Sequence, residues 1–242
     1  MYQSIINKHH NISLEPESHT YTLSNSEIEF NSVTEFINTF FLPFDKIKVA
    51  KKLTQLKKYQ HMSMTDILQD WEQRRHRGTV VHKEIEDFLN LKKHQINTLN
   101  RDPKSQQGVK FLQDKCMKNQ NNYLFPEVKI YSEELQLAGT IDLMIFNEKT
   151  DHIYLIDWKT NVDIKKTGYN QGIKHPTNTI DDCNFNRYRL QLSMYQYILE
   201  QFYAAKVNGL YIVHLKDDKY HVIECDFQHN HITNMIESKN QS

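Results

Sequence analysis

The chain is poor in residues that break or staple a backbone: six glycines, five prolines and three cysteines among 242 residues. Cys116, Cys183 and Cys225 are widely separated and odd in number. They exclude a complete disulfide framework, and no C-x-x-C pattern offers a zinc or iron–sulfur site. The expected surroundings are therefore reducing. No apolar run approaches the roughly 20 residues of a membrane-spanning helix, and the mean hydropathy is −0.71. The opening "MYQSIINKHHNISLEPE" lacks the basic-then-apolar order of a secretory signal. An intracellular location, cytoplasmic or nucleoid-associated, with no membrane partner, is the expectation. Net charge is missing as well, because 30 basic and 30 acidic side chains cancel. Any polyanion would have to be met by local clusters.

What is present is enough apolar content for a core, 38% of residues, and a length that suits one domain or a core with an elaboration. "HTYTLSNSEIEFNSVTEFINTFF" predicts a small hairpin, about 20–23 with 27–30, leading into a helix. Ser32 and Glu35 have capping-box spacing. "PFDKIKVAKKLTQLKKYQ" predicts a lysine-rich helix over 43–60. From about 65 to 91, Ile67, Leu68, Trp71, Gly78, Val81, Ile85, Phe88 and Leu89 recur at spacings of three and four, one buried helical stripe. Within it Gly78 marks a kink or a close backbone approach, since glycine is costly in a helix interior. A further helix is expected over 104–118, then strands near 126–132, 136–146 and 152–159 in an antiparallel meander. A long polar loop (161–184), a helix (185–205), a strand pair around "KDD" and a short terminal helix complete the expectation. The fold class is α/β: a mixed central sheet flanked by helices, with a helical N-terminal third.

Two of those strands pose a chemical problem. "GTIDLMIF" and "YLIDWKT" each hold an aspartate in an otherwise apolar run. A buried carboxylate without a partner is costly or stays protonated. Strand alternation places Asp157 and Lys159 with Ile153 and Leu155, and places Asp142 with Met144 and Phe146 opposite Ile141, Leu143 and Ile145. Taken alone, D-x-K is the common Asp–Lys pair of a strand end. Two acids in adjacent apolar strands point instead to a shared divalent cation. On the long helix, His82 and Glu86 face one way at i and i+4; alone, His82 reads as a core histidine. Gln191 and Tyr195 repeat that spacing downstream within an aromatic stripe that also reads as core, and Glu127 opens the strand preceding that of Asp142.

In this order, "RGTVVHKEIEDFL", "PEVKIYSEELQLAGTIDLMI", "YLIDWKT" and "YRLQLSMYQYIL" resemble the PD-(D/E)XK nucleases, in the branch of RecB-type domains and the mitochondrial genome maintenance exonuclease. "HTYTL…NSVTEFI…FD" resembles the mitochondrial-type subgroup. The likeness runs from about 19 to 215. It implies a restriction-endonuclease-like core over 63–242, preceded by a hairpin and basic helical region over 1–62. It implies Mg2+ or Mn2+ held by His82, Asp142, Asp157 and the Trp158 carbonyl, with Glu127 as a nearby acid and Lys159 beside the attacking water. Gln191 and Tyr195 would line the nucleic-acid channel, joined by Glu86, Ser32 and Thr34. Relatives that carry an iron–sulfur cluster use four cysteines, so no such cluster is expected. A histidine ligand makes Mn2+ a credible activator. The local basic residues Lys51, Lys52, Arg74, Arg77, Lys165 and Lys166 could guide a strand, although a lysine-rich helix is commonly a solvated face. The expected activity is metal-dependent DNA hydrolysis, exonucleolytic on single strands or ends. A duplex-end recombination exonuclease, an endonuclease and a catalytically silent nucleic-acid-binding protein remain as alternatives.

Overall fold

The computed structural model describes residues 2–15, 18, 20–90 and 101–239. Its elements run α1 (Tyr2–Asn11), β1 (Ile12–Glu15), β2 (Thr20–Leu23), β3 (Asn31–Ser32), α2 (Val33–Asn38), α3 (Lys46–Leu53), α4 (Met64–Asn90), α5 (Pro103–Phe111), β4 (Asn122–Ser132), β5 (Leu137–Asn147), β6 (His152–Lys159), α6 (Asn184–Phe202), β7 (Val207–Leu215), β8 (Tyr220–Cys225) and α7 (His229–Lys239). β4, β5 and β6 form the expected antiparallel meander. The α6 crossover then returns the chain parallel to β6 as β7, and β8 closes that edge antiparallel. The sheet is mixed and carries helices on both faces. Among the described residues, no helix is long and apolar enough to cross a membrane.

Because β6 and β7 alternate, each face of the sheet has its own core. Ile153, Leu155, Leu210 and Ile212 pack with Leu190, Met194 and Ile198 of α6. Ile156, Trp158, Val213 and Leu215 pack with Val81 and Ile85 of α4 and Phe111 of α5. The described residues of 1–62 join the first core through Ile5, Val33, Phe36, Ile37, Phe40 and Phe41.

The N-terminal third departs from expectation in its pairing. β2 pairs with β1 upstream, Ile12 opposite Leu23, and only an isolated Tyr21–Phe30 bridge remains of the 27–30 arm. This register buries Ile12, Tyr21, Leu23 and Phe30 against Tyr131 and Ala138. The Ser32–Glu35 capping box forms as expected at the start of α2. The lysine-rich helix is shorter than expected. Asp45 accepts from the Lys48 amide at 2.9 Å and fixes the start of α3 after Pro43. Leu56, in an extended conformation, separates α3 from a 3-10 turn at 57–59. The stripe helix α4 runs 64–90; residue 91 lies outside the described residues. The helix expected over 104–118 is α5 followed by one π-helical turn, 112–116.

Candidate metal centre

Two strands separate at the point where the two aspartates sit. β5 and β6 pair from Asn147–His152 up to Leu143–Ile156 and no further, so Asp142 and Asp157 stand where the next rung would be. Beyond the fork β6 keeps pairing with β7 through Lys159, while β5 meets the short β3 at Leu137 and Ala138. The Asp142 carboxylate fills the gap, its Oδ2 accepting from the Trp158 backbone N–H at 2.8 Å. A side chain thus satisfies a buried donor that the ladder leaves unpaired.

Across β5 the other neighbour, β4, bends at the same level. The register runs Pro126 opposite Leu143 and Val128 opposite Ile141, which sets Glu127 across from Asp142. Glu127 has φ 50°, a left-handed conformation that costs a non-glycine residue of order 1–3 kcal/mol. One consequence corrects the strict alternation expected for β5. Ile141 packs in the same core as Met144 and Phe146, while Leu143 and Ile145 pack in the other. The strand pair exchanges faces here and turns Glu127 and Asp142 toward α4.

α4 supplies His82. Its Nε2 lies 3.1 Å from the Trp158 carbonyl oxygen and its Nδ1 lies 3.6 Å from Asp142 Oδ2. A carbonyl only accepts, so Nε2 donates in that contact, and in the neutral ring Nδ1 is then the nitrogen with the lone pair. That is the arrangement by which an imidazole ligand is oriented from behind. His82, Glu127 and Asp142 each present a ligand atom within 4.8 Å of the others. Burial, then the Asp142 and Glu86 charges, push the Glu127 carboxyl up to about 9. Converging acids of this kind fit a divalent cation, whose charge removes the penalty of ionising them together.

Asp157 lies outside that group of three. It is 3% exposed, and its Oδ1 accepts from Lys159 Nζ at 2.7 Å. Its Oδ2 is buried without a hydrogen-bond partner. Burial pushes its carboxyl up to about 6, against the pull of the Lys159 ammonium. Burial works against the Lys159 charge too, but the Asp157 and Asp142 carboxylates prevail and hold its pKa above the ordinary value. The ammonium also lies 4.5 Å above the Tyr188 ring. The orphaned Oδ2 is an acceptor with a deficit that a cation would remove. Trp158 meets the centre through both backbone groups, its N–H on Asp142 and its carbonyl on His82.

The other expected residues divide by position. Gln191 donates to the Tyr195 hydroxyl at 2.9 Å. Tyr195 is 3% exposed, and a Cβ on Gly139 would come within 2.4 Å of its ring. It is packing behind the site rather than the lining of an open channel. Glu86 accepts from Lys83 and Asn90. Ser32 is occupied by its capping box, and Thr34 is exposed on α2. Arg77 is tied to Asp102 at 2.6 Å and also to Asp217, which makes it a tether between α4, α5 and the β7–β8 turn. Arg74 pairs with Asp70. Lys51, Lys52, Lys165 and Lys166 are exposed, the last with its ammonium 5.1 Å from the Phe185 ring.

Several contributors carry no signal in the sequence. The Tyr21 hydroxyl bonds Thr140 Oγ1 at 3.0 Å, close enough to Glu127 and Asp142 that, after burial, their charges add to the rise of its pKa. The segment following Lys159 is held by side chains from elsewhere. Lys104 donates to the Thr160 carbonyl at 2.6 Å, His214 Nε2 meets that of Asn161 at 2.7 Å, and Lys216 donates to that of Val162. No local motif signals such long-range contacts. Gly78 is the exception, since a glycine inside a helix does announce a close approach. A Cβ there would meet Thr160 Oγ1 at 3.0 Å.

No family model matches the sequence, and no curated protein matches it. Among solved structures, one described as the crystal structure of SSO0001 is similar over 99% of this chain and 83% of its own, with 12% identity and a TM-score of 0.41.

Proposed function

We propose that the protein is a metal-dependent deoxyribonuclease that hydrolyses phosphodiester bonds, acting as an exonuclease on single strands or DNA ends. One observation carries the reading: His82, Glu127 and Asp142 converge within 4.8 Å beside a buried Asp157–Lys159 pair that leaves Asp157 Oδ2 without a partner. The preference for DNA and for ends rests on the resemblance of the ordered motifs.

His82, Glu127 and Asp142 would hold the ion, with Asp157 beside them. A bound divalent cation supplies Lewis acidity to the phosphoryl oxygens and lowers the pKa of water. The protein's own groups do the rest. Asp142 and Asp157, ionised together, hold the negative field that retains the ion against release. Lys159, fixed between Asp157 and the Tyr188 ring, presents a positive charge to the phosphoryl group and stabilises the charge that builds there. The Trp158 carbonyl keeps His82 in the tautomer that leaves Nδ1 free. In the overall reaction the water oxygen bonds to phosphorus, the bond from phosphorus to one ester oxygen breaks, and the departing oxygen takes a proton.

End-labelled single- and double-stranded DNA with Mg2+, Mn2+ or EDTA, resolved on a sequencing gel, tests the proposal. The expected result is metal-dependent shortening from an end of single strands. Binding without cleavage under both metals would return the protein to a silent nucleic-acid-binding role, and internal cuts would make it an endonuclease.

A further inference from the structure

The far end of α4 carries an aromatic pair that the metal centre does not use. The Phe44 and Trp71 rings lie 5.6 Å apart, tilted by 53°. Phe44 is 67% exposed, and its neighbours Leu42 and Ile47 are nearly half exposed. A ring whose only task was to fasten α3 to α4 would be covered. Immediately after it, α3 exposes Lys48, Lys51 and Lys52, so the apolar surface is bordered by positive charge. The acids that flank Trp71 are matched, Asp70 by Arg74 and Glu72 by Arg75.

Trp71 and His82 are eleven residues apart on one helix, close to three full turns, so they share a face at a separation of roughly 16 Å. Gly78 lies on that face between them, where the end of β6 passes against the helix at Thr160. A single face of α4 thus carries at one end the half-buried Trp71, beside the exposed Phe44 ring and its basic border, and at the other the His82 of the candidate metal centre.

We infer that Phe44 and Trp71 are a stacking platform for an unpaired nucleobase of single-stranded nucleic acid, a few nucleotides from the phosphate at the metal centre. The course of the strand toward His82 rests on the nuclease reading; the platform itself does not. Flat exposed rings beside lysines are the combination that grips single strands without regard to sequence, stacking on the bases and ion-pairing with the backbone. A duplex keeps its bases stacked on one another and offers the rings nothing. A second copy of this chain would bring the same positive charges to the apolar patch.

The test uses the full chain in EDTA, with oligothymidylate and an abasic oligonucleotide of equal length, binding being read by fluorescence anisotropy. The wild type is expected to bind the base-bearing strand about tenfold more tightly, the scale of one base stacked on an aromatic side chain. Phe44→Leu should bind both strands as the wild type binds the abasic one, and Phe44→Trp should restore the preference. The chain has two tryptophans, and Trp158 is 2% exposed. Quenching of tryptophan emission by oligothymidylate therefore reports on Trp71 and should be absent with the abasic strand. Equal binding of the two strands by the wild type, or a Phe44→Leu protein of native circular dichroism that keeps the preference, would overturn the platform. So would a Phe44-dependent change of mass in sedimentation with DNA binding unaltered, which would make the patch a contact between copies. Adding Mn2+ separates the two readings: cleavage without base preference removes the platform and keeps the nuclease, whereas base-dependent binding without cleavage does the reverse.

Discussion

The two ends of α4 use opposite physics. At the His82 end, charged groups are buried against one another, with an orphaned carboxylate oxygen and a strained Glu127 backbone. At the Trp71 end, the Phe44 ring stands in solvent beside a half-buried Trp71, and the ion pairs around them are exposed. The first end stores unfavourable energy that a bound ion would release; the second stores almost none. Substitutions at the first end should therefore change chemistry and stability together. Those at the second should change affinity alone.

The largest effect is expected at Asp157. Asp157→Asn removes the charge with little change of volume and should abolish cleavage of end-labelled DNA while leaving the circular dichroism spectrum native. Residual cleavage by a rigorously purified variant, or wild-type cleavage in excess EDTA, would end the metal mechanism.

Lys159→Ala comes next, and the structure adds to it a consequence that the sequence could not supply. Losing one electrostatic stabiliser should lower turnover by roughly 10²–10³, with DNA affinity much less affected. Removing the cation also leaves Asp157 buried and alone, a loss of about 3–5 kcal/mol for a broken buried pair. Thermal denaturation in EDTA should show that loss, and Mn2+ should recover part of it. Intact single-turnover rates at saturating DNA would reduce Lys159 to a phosphate anchor.

The strands, the long helix and the identities of the acids are legible in the sequence because each obeys a local rule: alternation, a spacing of three and four, a carboxylate in an apolar run. The fork is not legible. It depends on where β6 leaves β5 for β7, a competition between a local hairpin and a pairing closed only after α6. The same cause hides the role of Glu127. Sequence order makes it the opening residue of its strand, whereas it lies inside β4, opposite Asp142, with positive φ. The i, i+4 spacing already reads Tyr195 as core, and only the family resemblance puts it in the channel; its burial against Gly139 agrees with the spacing. At the other end of α4, Pro43 and the lysine run suggest one long helix, and the Asp45 cap with the extended Leu56 divides it.

A smaller effect concerns pH and sharpens the contrast from the buried side. The folded pKa of Glu127 is raised to about 9, by burial first and then by the Asp142 and Glu86 charges. The unfolded chain ionises near the ordinary carboxylate value. The sign follows: above that value the unfolded chain has already released a proton that the folded one still holds. The metal-free protein must therefore lose stability as pH rises toward 9. Glu127→Gln removes the cost. In EDTA it should unfold at a higher temperature than the wild type at pH 8, by a margin that shrinks toward pH 5. Mn2+ should reverse the order by stabilising the wild type more. A margin that stayed constant with pH would mean that Glu127 does not titrate as its surroundings demand.

The smallest effect on stability, and the clearest probe of the exposed end, comes from the lysines of 46–58. Replacing Lys51, Lys52, Lys57 and Lys58 by Gln should leave the melting temperature almost unchanged, because all four side chains are exposed and surface changes of this kind shift stability by about 0.5 kcal/mol or less. In an Asp157→Asn background, single-stranded DNA should bind more weakly. The log–log salt dependence should flatten by about 0.7 for each phosphate that a lysine no longer neutralises. The rate at saturating DNA in the otherwise native protein should hold, since none of these lysines belongs to the candidate metal centre. The division of the expected helix sharpens the question, because Lys51 and Lys52 belong to α3 beside Phe44 while Lys57 and Lys58 lie in the separate turn beyond Leu56. If the strand runs over the aromatic pair, the Lys51 and Lys52 substitutions alone should carry most of the change in slope. A slope that moves only with Lys57 and Lys58 would take the strand away from Phe44, and an unchanged slope would leave Lys165 and Lys166 as the basic border of the path.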